Sequence, residues 1–209
     1  MGRHATPYLR TTELDTQMEI DLTFAQNCTI RTEVWSPSAS CALPLYCYPR
    51  ESKIEGKDGF LLEITPNSGG AWMGMFGHGP RDFLTGVYAC PNGHTLCVVS
   101  SGKGYLVEAA APDQWLLKTS ATRFARVLPE HNMLILSDWY TLIAYGSHGF
   151  LWQTDPIGYG YSQFTVERII GNELYGKVLN YRDQPAQWVD FEVNLITGKH
   201  KGGVSYPTT

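Results

Sequence analysis

Alternating apolar and polar residues predict β-strands along most of this chain. In residues 18–24 every second residue is apolar, and this period of two is typical of a half-buried strand. Residues 29–35 alternate in the same way after a short polar break at residues 25–27. We expect the two segments to pair as an antiparallel hairpin.

The central segment, residues 134–154, predicts three more strands in succession. Its apolar runs at 134–136, 141–145 and 150–154 are separated by Ser137-Asp138 and by residues 146–149, which are typical turn sequences. No segment of the chain has an apolar period of 3.6 residues with helix caps. The pattern therefore predicts an all-β protein with little or no helix.

Similar apolar runs predict strands in the remaining sequence, at residues 60–65, 71–76, 84–89, 95–100, 105–109, 113–119, 121–128, 163–169, 173–181 and 187–195. A strand at residues 45–48 lies between Pro44 and Pro49, and we expect it at a sheet edge because proline lacks the N–H that a central strand needs. Residues 1–17 are polar and aperiodic, so we predict a flexible N-terminal arm. Residues 18–209 then form a single all-β domain, with an N-terminal β region at 18–83 and repeated β units at 84–198.

The evidence for repeated units is a self-similarity at an offset of 38 residues. Pro91 and Pro129 each begin a turn that leads into an apolar strand ending in serine, Ser100 and Ser137. A second strand and a tryptophan-containing strand ending in threonine follow in both copies. A third, looser unit occupies residues 170–198. Units of three to four strands near 40 residues are typical of propeller blades.

The end of the third unit, Val193-Asn-Leu-Ile-Thr-Gly198, resembles the strand and Thr-Gly turn that close blades in quinoprotein-type β-propellers. The resemblance covers about residues 84–198. It implies a propeller-like stack of antiparallel three- to four-stranded units. A β-sandwich or an open barrel with the same turn spacing is the alternative fold.

The net charge and the cysteine content indicate which classes of partner and which cellular compartment to expect for this protein. The net charge of −4 gives no basic face for phosphates, so we expect no nucleic-acid partner. No run approaches 18 apolar residues, so we expect no membrane partner. Five cysteines without a signal peptide predict reduced thiols in a cytoplasmic protein, with Cys97 packed in a strand and Cys47 and Cys90 more exposed. The oligomeric state does not follow from the sequence.

The loop at residues 77–82 is the first candidate for chemistry. His78 lies between two glycines, and Arg81 and Asp82 are close enough in sequence to orient it or to bind an anion. An ordinary solvent-exposed hairpin loop explains the same residues. The chain has no Gly-x-Ser-x-Gly sequence, the usual marker of a serine hydrolase.

A metal site is the second candidate, because four potential ligands occur at predicted turns: His131, Asp138, His148 and Asp155. They would form a His/carboxylate site only if their turns shared one rim of the fold. Their spacing is irregular, and turns commonly contain Asp. We therefore predict no metal and no cofactor.

Aromatic residues are the third candidate, since the chain has 6 Trp, 12 Tyr and 8 Phe. We expect most of the tryptophans at corresponding repeat positions to lie in the core. These are Trp115, Trp152 and Trp188. The candidate binding residues are those that depart from the upstream copy, together with an aromatic residue in the following loop: Asp138, Trp139, Tyr140, His148 and Tyr159.

These observations predict a non-catalytic, β-rich interaction module that binds a protein partner through an aromatic loop rim. The acidic net charge favours a basic partner. The alternative is a carbohydrate-binding domain or a hydrolase that uses the His/Asp loop at residues 77–82.

Overall fold

The computed structural model describes residues 18–32, 43–49, 59–79, 83–159, 163–182 and 184–204. These residues form short strands and one 3-10 turn, Pro129–His131. In chain order the strands are β1 Glu19–Asp21, β2 Cys28–Arg31, β3 Leu45–Tyr48, β4 Gly59–Pro66, β5 Trp72–Gly77, β6 Gly86–Ala89, β7 Thr95–Ser100, β8 Lys103–Glu108, β9 Ala111–Thr119, β10 Ala125–Leu128, β11 Met133–Asp138, β12 Thr141–Gly146, β13 Gly149–Gln153, β14 Phe164–Ile170, β15 Glu173–Asn180, β16 Gln187–Asn194 and β17 His200–Gly202. The all-β prediction is confirmed. None of the described residues belongs to a helix long and apolar enough to cross a membrane.

The strands form four small sheets, which we number in chain order. Sheet I has the order β2-β4-β5-β3, sheet II β1-β6-β7-β8-β9, sheet III β10-β11-β12-β13 and sheet IV β14-β15-β16-β17. Neighbouring strands are antiparallel except in the pairs β1–β6 and β3–β5, which are parallel. Within the described residues the sheets do not close into a barrel. The prediction that residues 45–48 form an edge strand is confirmed by β3.

The predicted hairpin between residues 18–24 and 29–35 is wrong. β1 instead lies beside β6, with Glu19 opposite Gly86, and β2 pairs with β4. β1 ends early because the Asp21 carboxylate accepts hydrogen bonds from the Thr23 amide at 3.0 Å and from its hydroxyl at 2.6 Å, which turns the chain. Alternation predicts that a strand forms, but it carries no information on which strand is its neighbour.

Successive sheets pack face to face through three shared cores. One core joins sheets I and II, a second joins II and III, and a third joins III and IV. β7 shows how one strand serves two cores: Leu96 and Val98 pack toward sheet I, whereas Cys97 and Val99 pack toward sheet III. Every residue of β7 is therefore buried, as its unbroken apolar sequence indicates.

Two tryptophans connect neighbouring sheets by hydrogen bonds to carbonyls. The Trp72 indole donates to Ala109 O at 2.8 Å between sheets I and II, and the Trp152 indole donates to Leu195 O at 2.7 Å between sheets III and IV. Trp188 contradicts the core prediction, because its side chain is 46% exposed. It lies on the outer face of β16, opposite to the face that carries the buried Phe191.

Candidate functional site

The strand order gives the stack of sheets two opposite rims. We call one the linker rim, because the chain passes from one sheet to the next there, through residues 83–85, 120–124 and 154–159. It also contains the turns at residues 101–102, 139–140 and 181–182. The other, the hairpin rim, contains the turns at residues 91–94, 109–110, 129–132, 147–148 and 171–172. The strands between the two rims are about six residues long, so about 20 Å separates them.

Short polar contacts fix the linker rim in place. The Ser137 hydroxyl oxygen accepts hydrogen bonds from the amides of Arg123 and Phe124, both at 3.0 Å. The Asp138 carboxylate accepts two more, from the amides of Ser120 and Ala121, both at 3.2 Å. Asp138 therefore holds the linker between sheets II and III, and this carboxylate oxygen is already in use.

Three aromatic side chains and one arginine pack in a row along this rim. The Trp139 ring lies 6.3 Å from the Tyr140 ring and makes an edge contact with Phe83 at 6.2 Å. The Arg123 guanidinium stacks over the other side of this group, 3.9 Å from the Phe83 centroid. The Trp139 indole also donates a hydrogen bond of 2.9 Å to the Ser120 hydroxyl, which fixes its ring.

The row continues through the linker between sheets III and IV. The Tyr140 carbonyl accepts hydrogen bonds from Ile157 N at 2.7 Å and Gly158 N at 3.1 Å, so Tyr159 follows directly. The Arg182 guanidinium stacks on the Tyr159 ring at 4.3 Å. We call the whole group the aromatic–arginine band: Phe83, Arg123, Trp139, Tyr140, Tyr159, Tyr181 and Arg182.

The band offers its tyrosines to solvent on a rigid support. Tyr140, Tyr159 and Tyr181 are 39%, 43% and 40% exposed, whereas Phe83, which contacts Trp139 and Arg123, is buried. Burial lowers the pKa of the Arg123 guanidinium, and the nearby Tyr181 partly opposes this effect. Aromatic rings stacked with arginine in a fixed arrangement suit contact with another molecule.

His78 also lies on the linker rim, but its ring is part of the support. Its Nδ1 lies 2.9 Å from the Ser100 hydroxyl oxygen and 3.3 Å from that of Ser101. Ser100 is fully buried and donates its own proton to Phe76 O at 2.9 Å. This serine is therefore not placed to act as a nucleophile. Arg81 and Asp82, the other two candidates of this loop, lie outside the described residues.

His148 does not join the other candidates. It lies in the exposed turn between β12 and β13 on the hairpin rim, at the far end of β12 from Trp139 and Tyr140. The same topology divides the hypothetical metal ligands, since His131 is also on the hairpin rim while Asp138 is not. No group of three His, Cys, Asp or Glu side chains that could hold a metal occurs in the part of the chain that is described.

The cysteines that the structure describes show no reactive environment. The four described ones, Cys28, Cys47, Cys90 and Cys97, are free thiols. The expected exposure of Cys90 is wrong, because it is only 4% exposed, between sheets II and III. Burial raises the pKa of Cys90 to about 12 and also raises that of Cys97. Both thiols therefore stay protonated at neutral pH.

A groove with a mainly apolar lining lies on the hairpin rim, at the outer edges of sheets II and III. It has a volume of about 550 Å³ and lies over Cys90, Leu106 and Tyr145, with Phe150 at its mouth. Its carboxylate, Glu108, is already engaged with His94 and with the Thr95 hydroxyl. The groove therefore presents packing surface rather than convergent polar groups.

Sequence reasoning found Trp139, Tyr140 and Tyr159 but missed four members of the band. The four are Phe83, Arg123, Tyr181 and Arg182. Arg123 and Tyr181 fall within the predicted strands 121–128 and 173–181, but the structure places all four residues in linkers and turns, where only the packing of the sheets brings them together. No family model, curated protein or solved structure matches this chain.

Proposed function

We propose that the protein is a non-catalytic interaction module that binds a protein partner through the aromatic–arginine band. The observation that carries the proposal is the continuous contact from Tyr140 through Trp139 and Phe83 to Arg123. Tyr, Trp and Arg are the residue types in which binding energy is concentrated at protein interfaces. Their side chains are held before binding, so little entropy is lost when a partner docks.

The support beneath the band favours this function over catalysis. Asp138 and Ser137 use their oxygens to hold the backbone of the linker, and Ser100 uses its hydroxyl on Phe76 O. These three polar groups of the rim are thus committed to structure. What remains accessible is an aromatic and cationic surface.

The experiment is a comparative affinity capture from the source organism, with quantitative mass spectrometry. The test variant is Tyr140→Ala combined with Tyr159→Ala, two exposed band residues whose removal leaves the core intact. The matched control is Phe150→Ala, which removes a 57% exposed aromatic side chain from the hairpin rim. We expect one protein to be captured by the wild type and by Phe150→Ala but depleted more than about tenfold with the double variant. Equal capture by all three proteins would refute the proposal.

We also propose that the four sheets form a propeller-like stack. Three shared cores join the sheets in chain order, and each linker between sheets runs along the same rim. The serines that the repeat predicts at equivalent positions, Ser100 and Ser137, both bind the segment that precedes their sheet. An experimental structure with the sheets arranged around a common axis would support this proposal, and two facing sheets of a sandwich would contradict it.

A cytoplasmic location is part of the same proposal. Buried thiols such as Cys90 and Cys97, free and close together in one core, suit a reducing compartment. Fractionation of the source organism with an antibody against the protein tests this location, and recovery from an extracellular or periplasmic fraction would contradict it.

A further inference from the structure

Arg123 has no acidic partner among the residues that the structure describes. Among the residues that the structure describes, no carboxylate lies within 4.0 Å of its nitrogens, and its guanidinium donates no hydrogen bond to them. The contact that the structure describes for this guanidinium is a cation–π stack on the Phe83 ring, 3.9 Å from its centroid. Five donors in a planar fork are thus held in a partly buried position without an acceptor from the part of the chain that is described.

A small cavity adjoins this guanidinium. It has a volume of about 200 Å³ and is lined by Phe83, Leu84, Arg123, Gln163 and Phe164. Two of the lining residues, Phe83 and Phe164, are only 7% and 8% exposed, so their packed rings form a fixed apolar part of a lining whose exposed surface is mainly polar. A small cavity lined by one arginine, one glutamine and two packed phenylalanines suits a short side chain that ends in an anion.

We propose that this cavity is an anchor site for a carboxylate side chain, Asp or Glu, of the protein partner. The inference rests on the proposed function, because the carboxylate would arrive as part of a protein docked on the band. The planar fork of an arginine matches the two oxygens of a carboxylate. The methylene groups of the same side chain would contact Phe83 and Phe164.

A phosphate group fits the cavity less well. Phosphates are usually surrounded by several donors, such as the backbone amides at helix ends and in nests. Here only two of the described lining residues, Arg123 and Gln163, have polar side chains. The number of donors therefore matches two carboxylate oxygens rather than a phosphate dianion.

The local charge agrees with an acidic anchor, although the chain as a whole is acidic. The net charge of −4 led us to expect a basic partner, but recognition depends on the charges that meet at the contact. Arg123 and Arg182 belong to the band, and one oxygen of the nearby linker-rim residue Asp138 is occupied by two backbone amides. The band itself thus carries two arginines and no carboxylate.

The first test uses a small probe, so that it does not depend on knowing the partner. Acetyl-glutamate methylamide is titrated into the full-length protein while NMR follows the Nε–Hε signal of Arg123, assigned by its loss in Arg123→Gln. We expect a saturable shift in the millimolar range, absent with the glutamine analogue and weaker with inorganic phosphate. No saturable shift, an equal response to the glutamine analogue, or stronger binding of phosphate would overturn the carboxylate assignment.

The second test separates this inference from the proposed function. Arg123→Gln is compared with Arg126→Gln, an exposed arginine of β10 that carries the same charge change away from the band. With the captured partner, we expect Arg123→Gln to weaken binding at least about tenfold and Arg126→Gln to leave it unchanged. If Tyr140→Ala with Tyr159→Ala abolishes capture but Arg123→Gln does not weaken it, the carboxylate anchor is wrong and the band remains. If neither the double tyrosine variant nor Arg123→Gln reduces capture, both the band as binding surface and the carboxylate anchor are wrong.

Discussion

Replacing Trp152 by phenylalanine tests the packing of sheet III on sheet IV. The Trp152 indole is 6% exposed and donates a hydrogen bond of 2.7 Å to the carbonyl of Leu195, a residue that is itself 1% exposed. Phenylalanine keeps an aromatic ring at this position but removes the donor and part of the ring volume. The Leu195 carbonyl is then left without this partner in a place where water does not easily reach it.

Two effects determine the expected loss of stability. A buried acceptor that loses its hydrogen-bond partner costs about 1–3 kcal/mol. The smaller ring leaves a cavity that adds about 1 kcal/mol. We therefore expect the free energy of unfolding to fall by about 2–4 kcal/mol and the melting temperature by about 5–10 °C. Urea unfolding followed by circular dichroism measures the first quantity, and calorimetry measures the second.

Trp188→Phe is the matched control, because it makes the same chemical change in a side chain that is 46% exposed. Its effect should stay within about 0.5 kcal/mol, as for most surface substitutions. Equal losses in the two variants would refute the assignment of Trp152 to the core between sheets III and IV and of Trp188 to an outer face. A change of less than about 0.5 kcal/mol for Trp152→Phe would also refute it.

Three further predictions concern stability. Gly198→Ala should destabilise the protein more than Gly149→Ala. Both glycines have positive φ, but only at Gly198 would a Cβ meet the Trp152 ring, at 2.8 Å. Thermal unfolding measures both variants, and equal shifts in melting temperature would count against the packing of Gly198 on Trp152. Asp138→Ala should lower the free energy of unfolding in urea by about 1–2 kcal/mol, because two backbone amides lose their carboxylate partner. An unchanged urea midpoint would show that this contact does not hold the linker between sheets II and III. Burial raises the pKa of Cys90 from its ordinary 9.0 to about 12, so between these pH values the folded state keeps a proton that the unfolded state loses. The contribution of this thiol to the free energy of unfolding should therefore be complete below about pH 9 and decline by about 1.4 kcal/mol per pH unit toward pH 12. Cys90→Ala should reduce this dependence of the free energy of unfolding on pH between about pH 9 and 12. An identical dependence in the wild type and the variant would contradict the burial of the Cys90 thiol.

Alternation and turn residues were enough to predict where most strands lie. Residues 95–100 were predicted as a strand and form β7 with the same bounds, because a buried apolar run between two turns has few other conformations. Which strands pair was not predictable for β1. Its neighbour, β6, begins at Gly86, and a pairing between residues so far apart depends on the packing of the whole domain.

The same distinction explains what was found of the candidate site. Trp139 and Tyr140 were identified because they interrupt a repeated turn sequence, and this signal is local. Phe83 lies in the linker at residues 83–85 and Arg123 in the linker at residues 120–124. They meet only because the sheets pack against each other, so no local sequence pattern relates them. His148 shows the opposite error, because it is near Tyr140 in sequence but lies at the other end of a six-residue strand.

The most direct test of the proposed function is hydrogen–deuterium exchange of the protein with and without its captured partner. We predict that the partner slows exchange at residues 120–124, 138–140 and 154–159 of the linker rim. Exchange at residues 129–132 and 147–149 of the hairpin rim should stay unchanged. Protection confined to the hairpin rim would contradict the assignment of the aromatic–arginine band as the binding surface.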